Sequence, residues 1–402
     1  MRPFLYQLLM AGALFANAAT LPQLIDAALS KHPSLEAVKA RIAAADVAVK
    51  RAENFDNPVL GLSINDLRFD NFANRSLEPM QTQAVTISQK IPWFGKREAK
   101  KEIEEAKKAL LFATKEEAEA ELAARIRQTA YDIWKIDRLI DLTKQTMALT
   151  RQSISLYEAY TASGESGRAH MGIMSAELVQ TRLDVSLSRL KAQRSARLAL
   201  LEYLSFQKIE NLDIDLPEKR LPPLQTLQKR IDESPRLHYR LFKKEIVSKR
   251  LAYDRLRSRI DPVLKVGYYQ REAYEDYLSV GVGFALPVYG TEKSLVEERR
   301  ARLMAEESET LDTRRKLLAR LEKLHVKAKG EAEVARLIEK ESLPRIDHMF
   351  DLIRSNIAAG GDLYAFVDLI EQKLKLEAQM IAAKSETHKI LAQIDALLGE
   401  KR

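Results

Sequence analysis

Cysteine is absent from the 402-residue chain, which excludes a disulfide framework, a thiolate zinc site, an iron–sulfur cluster, a cysteine nucleophile and a lipid-modified N-terminal cysteine. Glycine and proline are scarce, at 14 and 13 residues, against 46% hydrophobic and 30% charged residues, so collagen-like and disordered chains are also excluded. Beyond the first residues no stretch reaches the roughly 18 uninterrupted apolar residues of a membrane-spanning helix. Lys and Arg number 65 against 57 Asp and Glu, a net charge of +8. The two signs are interspersed along helical stretches, as on a solvated surface, and this argues against nucleic acid as a partner.

Catalytic patterns are missing too. There is no Walker-type glycine loop, so any ATP hydrolysis would have to come from a partner. His32, His170, His238, His325, His348 and His388 show neither an HExxH pattern nor paired ligand spacing, and no metal site or cofactor is expected. Gly164-Glu165-Ser166-Gly167 misses the G-x-S-x-G nucleophile pattern by one residue, and turn chemistry explains it. The reading is of a protein that is not an enzyme.

What is present begins with Arg2, an apolar run from Phe4 to Phe15, and Ala16-Asn17-Ala18, together a secretory signal peptide over residues 1–19. An N-terminal core helix is the alternative. The rest is an internal duplication at an offset of about 200 residues. Leu21-Pro22 returns as Leu221-Pro222, and His32-Pro33-Ser34-Leu35 as Ser234-Pro235-Arg236-Leu237. Asn57-Pro58-Val59-Leu60 returns as Asp261-Pro262-Val263-Leu264, and Ile91-Pro92-Trp93-Phe94-Gly95 as Leu286-Pro287-Val288-Tyr289-Gly290. Two repeats are therefore expected, residues 20–206 and 207–402, each made of a helix, a strand pair and a long helical hairpin.

Between the prolines the hydrophobic period falls to two. Leu278, Val280, Val282, Phe284 and Leu286 alternate with small residues, as do Leu60, Leu62 and Ile64, and Val85 and Ile87 with Thr86 and Ser88. An ordinary half-buried antiparallel sheet reads this way. So does a transmembrane β-barrel, with an apolar outer face and a small or polar inner one. Arg68 to Met80 and Glu272 to Asp276 are polar enough to be exposed hairpin connections. Four strands cannot close a barrel, and an open edge in lipid leaves backbone groups unpaired, so a membrane barrel would require other subunits.

From Lys96 to about Tyr160 there is neither proline nor glycine, which predicts a helix of roughly 100 Å at about 1.5 Å per residue. Ile126, Ile133, Ile140, Met147 and Ile154 form a heptad seam, with Leu142, Leu149 and Leu156 at a second phase. The return helix carries Leu178, Val185, Ala192 and Ala199 at the same spacing, which predicts a packing stripe. Ser163 to Gly167 and Ala358 to Asp362 supply the hairpin turns. Trp93 and Tyr289 are read either as membrane-interface aromatics or as packing at the strand-to-helix corners.

The proline-bracketed strand pairs, the duplication, the glycine-bearing turns and Ile91-Pro92-Trp93-Phe94-Gly95-Lys96-Arg97 together resemble the TolC family of outer-membrane efflux proteins over essentially the whole mature chain. The Pro-Trp-Phe-Gly-Lys-Arg form resembles the branch associated with cation and heavy-metal efflux. The resemblance implies a mainly α protein with a membrane β-barrel: a homotrimer whose twelve strands, four per chain, form one barrel in outer-membrane lipid, continued by a long α-helical barrel across the periplasm. It implies the passive exit duct of a tripartite efflux or secretion system, fed by an inner-membrane pump through a periplasmic adaptor protein, with metal cations or drugs as solutes. A periplasmic coiled-coil adaptor and a structural scaffold are the alternatives. Gly164, Gly167 and Arg168 in one turn, and Gly360 and Gly361 in the other, would be the adaptor-docking tips, or would merely close the hairpins. Val367-Asp368-Leu369-Ile370-Glu371 resembles the family's gate segment, so Asp368 and Glu371 would line a closed periplasmic entrance. The alternative is a solvated first-turn face with Asp362 as N-cap.

Overall fold

The structure, a computed structural model, describes residues 19–161, 168–217, 220–357 and 363–401. Most of the expected signal peptide, both hairpin turns and Asp362 lie outside them, as do Gly164, Gly167, Gly360 and Gly361. The chain divides into two compact units, each drawing on both halves of the sequence. One takes residues up to 36, then 117–231 and 317 onward; the other takes 37–116 and 232–316.

The second unit holds β2 (Val59–Ile64), β3 (Thr82–Lys90), β5 (Pro262–Arg271) and β6 (Tyr277–Phe284), numbered after the short β1 (Ala19–Thr20) and β4 (Leu212–Asp213) of the other unit. These four make an antiparallel sheet in the order β2-β3-β5-β6, so the strand pairs of the two sequence halves meet at β3 and β5. The connections 65–81 and 272–276 contain the two polar stretches read as hairpin loops. Asn65 and Gln81 close the longer one. Asn65 Nδ2 donates to Thr82 Oγ1 at 2.8 Å, and the buried Gln81 accepts from the Leu77 amide at 3.1 Å.

In the first unit, α1 (Leu21–Lys31) starts with Gln23 Oε1 accepting from the Thr20 amide at 3.0 Å and has Pro22 in its first turn, where a missing N–H costs nothing. Its Leu24, Ile25 and Ala28 pack with Leu122, Ile126 and Ile133 of α3 (Lys96–Thr161) and Leu201 and Leu204 of α4 (Arg168–Ser205). Helix α3 runs unbroken for 66 residues, as its lack of proline and glycine requires. Of the expected seam, Ile126, Ile133, Ile140 and Met147 are buried and Ile154 is partly buried, so the stripe faces protein along most of its length. Buried hydroxyls on the same helix fold back on it. Thr143, Thr146, Thr150 and Ser153 each donate to the carbonyl four residues earlier, at 2.7 to 2.9 Å. They thus fill close helix contacts without leaving an unpaired group.

The return helix differs from expectation. Leu178 and Val185 are 53% and 47% exposed, and Ala192 and Ala199 are exposed as well. Ala176, Val179 and Leu183 face the core instead, packing with Met147, Ile346, Phe350, Phe366, Val367 and Ile370. Within one chain α4 has room for a single buried stripe, and the larger cluster from α3, α8 (Leu343–Ile357) and α9 (Leu363–Leu397) claims the other face.

The equivalent arm in the second half is interrupted. Helix α7 (Thr291–Leu337) passes through a π-turn at Ile338–Ser342 into α8. Pro344 explains the position, because proline lacks the N–H that a continuous α-helix would use there.

Three elements are tied by charge. Lys389 of α9 lies 3.1 Å from Asp132 of α3 and 3.0 Å from Glu386, whose other oxygen is 2.6 Å from Lys327 of α7. Burial alone would raise the Glu386 carboxyl, but hydrogen bonds from Lys327 and Lys389 outweigh it and hold its pKa below the ordinary value. For Lys389 burial pulls down, and hydrogen bonds to Glu386 and Asp132 push the pKa up. The carboxylate's contribution is therefore complete above the ordinary glutamate range and lost as pH falls through its lowered pKa. The lysine's contribution is complete below the ordinary lysine range and lost as pH rises through its raised pKa. Thermal stability should decline on acidification, and Glu386→Gln should flatten part of that acid slope. Identical melting profiles for the two proteins between neutral and acid pH would show that the cluster does not stabilise the fold.

Candidate functional site: the sheet faces and the start of α9

Strand register sorts the side chains into two faces. Leu62, Val85, Tyr268 and Leu278 stand in one cross-strand row, and Leu60, Ile87, Val266 and Val280 in the next. All are exposed, with Leu62 at 76% and Val280 at 70%. A water-facing sheet would place polar residues there, so this apolar face needs a non-aqueous neighbour. Rows on the opposite face are small and polar: Gly61, Thr86, Gly267 and Ser279, then Ser63, Ala84, Tyr269 and Tyr277. Glycine is required at two of these places. A Cβ at Gly61 would meet Thr86 Oγ1 at 2.6 Å, and one at Gly267 would meet the Tyr269 ring at 2.8 Å. Tyr269 in turn stacks on Tyr277, with ring centres 4.8 Å apart.

Strands turn into helices at corners built alike in both halves. Gly95 and Gly290 adopt φ of 75° and 73°, the left-handed region that glycine enters freely. At the first corner Asp261, just before β5, accepts from the Trp93 amide at 3.1 Å and from Lys96 Nζ at 2.7 Å, while Lys96 also donates to the Arg259 carbonyl at 2.6 Å. Lys96 is 5% exposed, so its charge is sequestered on that carboxylate. Sequence reading missed this bridge. Its only trace was that the landmark Asn57-Pro58 returns as Asp261-Pro262, gaining a charge. Trp93 is half exposed and meets Phe94 edge-on at 6.1 Å, whereas Tyr289 is 94% exposed, which removes the corner-packing reading for that side chain.

Asp368 lies in the second turn of α9, on the side away from the buried Phe366, Val367 and Ile370, and Glu371 begins the third turn at the border of that buried face. Asp368 is exposed and accepts from Gln372 Nε2 at 2.7 Å. Glu371 lies 3.5 Å from Arg182 Nη1 of α4, a partner that sequence spacing could not reveal. Both groups of that pair are partly solvated, so the pairing adds little stability but halves the net charge of the carboxylate pair. Arg168 opens α4. Among the described residues no acidic or histidine cluster could hold a metal ion, and no helix is long and apolar enough to cross a membrane.

The fold matches solved outer-membrane channels. VceC from Vibrio cholerae superposes with a TM-score of 0.79 at 16% identity, covering 95% of this chain and 97% of that one. The open state of MtrE from Neisseria gonorrhoeae gives 0.78 at 15% identity, over 95% of this chain and 89% of its own. CusC gives 0.77 at 11% identity, over 96% of both chains. No curated protein matches the sequence. These structural neighbours are channels rather than enzymes, and together with the family match they support an outer-membrane location extending into the periplasm. The chain carries the fold of outer-membrane efflux channels, and its residues 24–204 match the model of the outer membrane efflux protein family.

Proposed function

We propose that the protein is the exit duct of a tripartite efflux system: a homotrimer whose twelve strands close one barrel in the outer membrane, continued by an α-helical barrel. An inner-membrane pump would deliver solutes, metal cations or drugs, through a periplasmic adaptor. The observation that carries this reading is the four-stranded sheet, whose exposed face holds two cross-strand rows made only of Leu, Val, Ile and Tyr and is bordered by Gln83, Gln89 and Gln270, with outer edges at β2 and β6 that no described strand pairs. Backbone groups on those edges cannot stay unpaired in lipid, so further copies must pair with them. The two repeats, 20–206 and 207–402, then alternate around the wall. An adaptor or scaffold reading leaves the apolar face without a purpose. Membrane fractionation and native mass of the detergent-extracted protein should give an outer-membrane trimer. A soluble protein, or a monomer with an intact sheet, overturns the proposal. In a pump-dependent efflux assay, bulky residues at Gly164 or Gly361 should abolish export while trimers persist, if these turns and Arg168 dock the adaptor; unchanged export removes the docking role.

Asp368 and Glu371 form the gate in this reading, six carboxylates around a constriction that favours cations. Arg182 carries its charge in every variant, so Asp368→Asn and Glu371→Gln each take the local net charge per chain from −1 to 0 and should each reduce cation preference in planar-bilayer conductance, with the double variant, at +1, lowest. Equal selectivity in all of them would place both side chains off the pore.

A further inference from the structure

A cleft of about 620 Å³ lies in the first unit, between α1, α3, α9 and the chain at 215–217. Its volume falls within the range of small-molecule sites. Leu21, Ile25, Leu391 and Ala392 give it an apolar wall, and the rings of Tyr131 and His388, 5.6 Å apart, an aromatic one.

One polar group in this wall is unsatisfied. Arg127 is 6% exposed, and its Nη1 is buried without a hydrogen-bond partner. The Asp395 carboxylate stands 3.6 Å from that nitrogen, close enough to balance the charge but too far for a hydrogen bond. What the cleft lacks is therefore an acceptor rather than an anion. The exposed Asp26 and Asp215 complete the lining and disfavour anions further. Burial raises the Tyr131 pKa, with Arg127 opposing and Asp395 adding to the effect, so its hydroxyl stays a neutral donor. Buried donors in native proteins find partners, and an apolar cleft of this size offers few to a lone water.

We propose that this cleft binds a neutral, carbonyl-bearing apolar molecule, whose oxygen accepts from Arg127 Nη1 while its body lies against Tyr131 and the aliphatic wall. The site is separate from the gate and the sheet, and it does not depend on the efflux reading.

The probe is prodan, a neutral naphthyl ketone whose absorption overlaps tryptophan emission. The chain has 2 tryptophans, and Trp93→Phe leaves only Trp134, one turn from Tyr131 on α3. In the full-length, detergent-solubilised Trp93→Phe protein, prodan should quench Trp134 saturably at one site per chain. The ketone-free analogue, 2-dimethylaminonaphthalene, should bind at least about tenfold more weakly, since it cannot accept from Arg127. Arg127→Lys keeps the ion pair but loses the second donor, and should weaken prodan by a similar factor. Ala392→Phe, which fills the cleft, should abolish saturable quenching. Absence of saturable quenching in the Trp93→Phe protein overturns the proposal. So does equal affinity for the two dyes, which would mean partition into detergent, with ordered water alone serving Arg127.

Discussion

Arginine at Val280 is expected to prevent assembly in the outer membrane, whereas arginine at the adjacent Ser279 is tolerated. Val280 stands in the exposed row with Leu60, Ile87 and Val266, while Ser279 stands on the opposite face with Thr86 between two glycines. A charge at mid-depth on a lipid-facing strand costs about 2–4 kcal/mol per chain, and the proposed homotrimer would incur that three times. On a water-filled lumen the same side chain is solvated. Heat-resistant trimer recovered from outer-membrane fractions reads the difference. Equal loss for both variants would mean that the sheet does not separate lipid from water. Equal tolerance would mean that the apolar face does not touch lipid at all.

The second large effect is at the first strand-to-helix corner. Lys96→Met should destabilise the folded protein by about 3–5 kcal/mol, because it leaves the Asp261 carboxylate without its closest cation in a largely buried place. Asp261→Asn should cost a similar amount by stranding the ammonium, although the Trp93 amide keeps an acceptor. The double variant should cost less than the sum of the singles, since neither charge is then left alone. Thermal unfolding of the three proteins measures this. Strict additivity would show that the two groups do not act as a pair, and that the corner is held by Gly95 and the Ile91 amide bond to the Pro262 carbonyl instead.

Period-two alternation placed β2, β3 and β6, the duplication implied β5, and an interval without proline or glycine placed α3, because in these cases local chemistry decides the element. The stripe at Leu178, Val185, Ala192 and Ala199 shows where such reading stops. Heptad spacing reveals that a face is apolar, but not whether its partner belongs to the same chain, and these residues are exposed within one chain. The contact between Glu371 and Arg182 was likewise out of reach, since 189 positions separate two residues that only tertiary packing brings within 3.5 Å. The π-turn had a visible cause in Pro344, but its effect on the helix faces depends on which residues the core accepts.

That effect can be read from the buried positions. Leu317, Leu321, Leu324, Ala328, Ala335 and Ile338 keep a three-and-four spacing, which if continued would bring Arg345, Met349 and Leu352 inward. Ile346 and Phe350 are buried instead, with Met349 and Leu352 half exposed. The π-turn absorbs one surplus residue and so resets the phase of the helix by about 100°, the rotation of a single α-helical step. The lower segment is thereby screwed round relative to the upper one. Its aromatic Phe350 meets Phe366, and Met349 and Leu352 are delivered to the outside, as a segment that must touch its own chain and a neighbour at once would require. Loss of one residue within Ile338–Ser342 would undo that rotation and turn the helix that follows back by about 100°, bringing Met349 and Leu352 inward in place of Ile346 and Phe350.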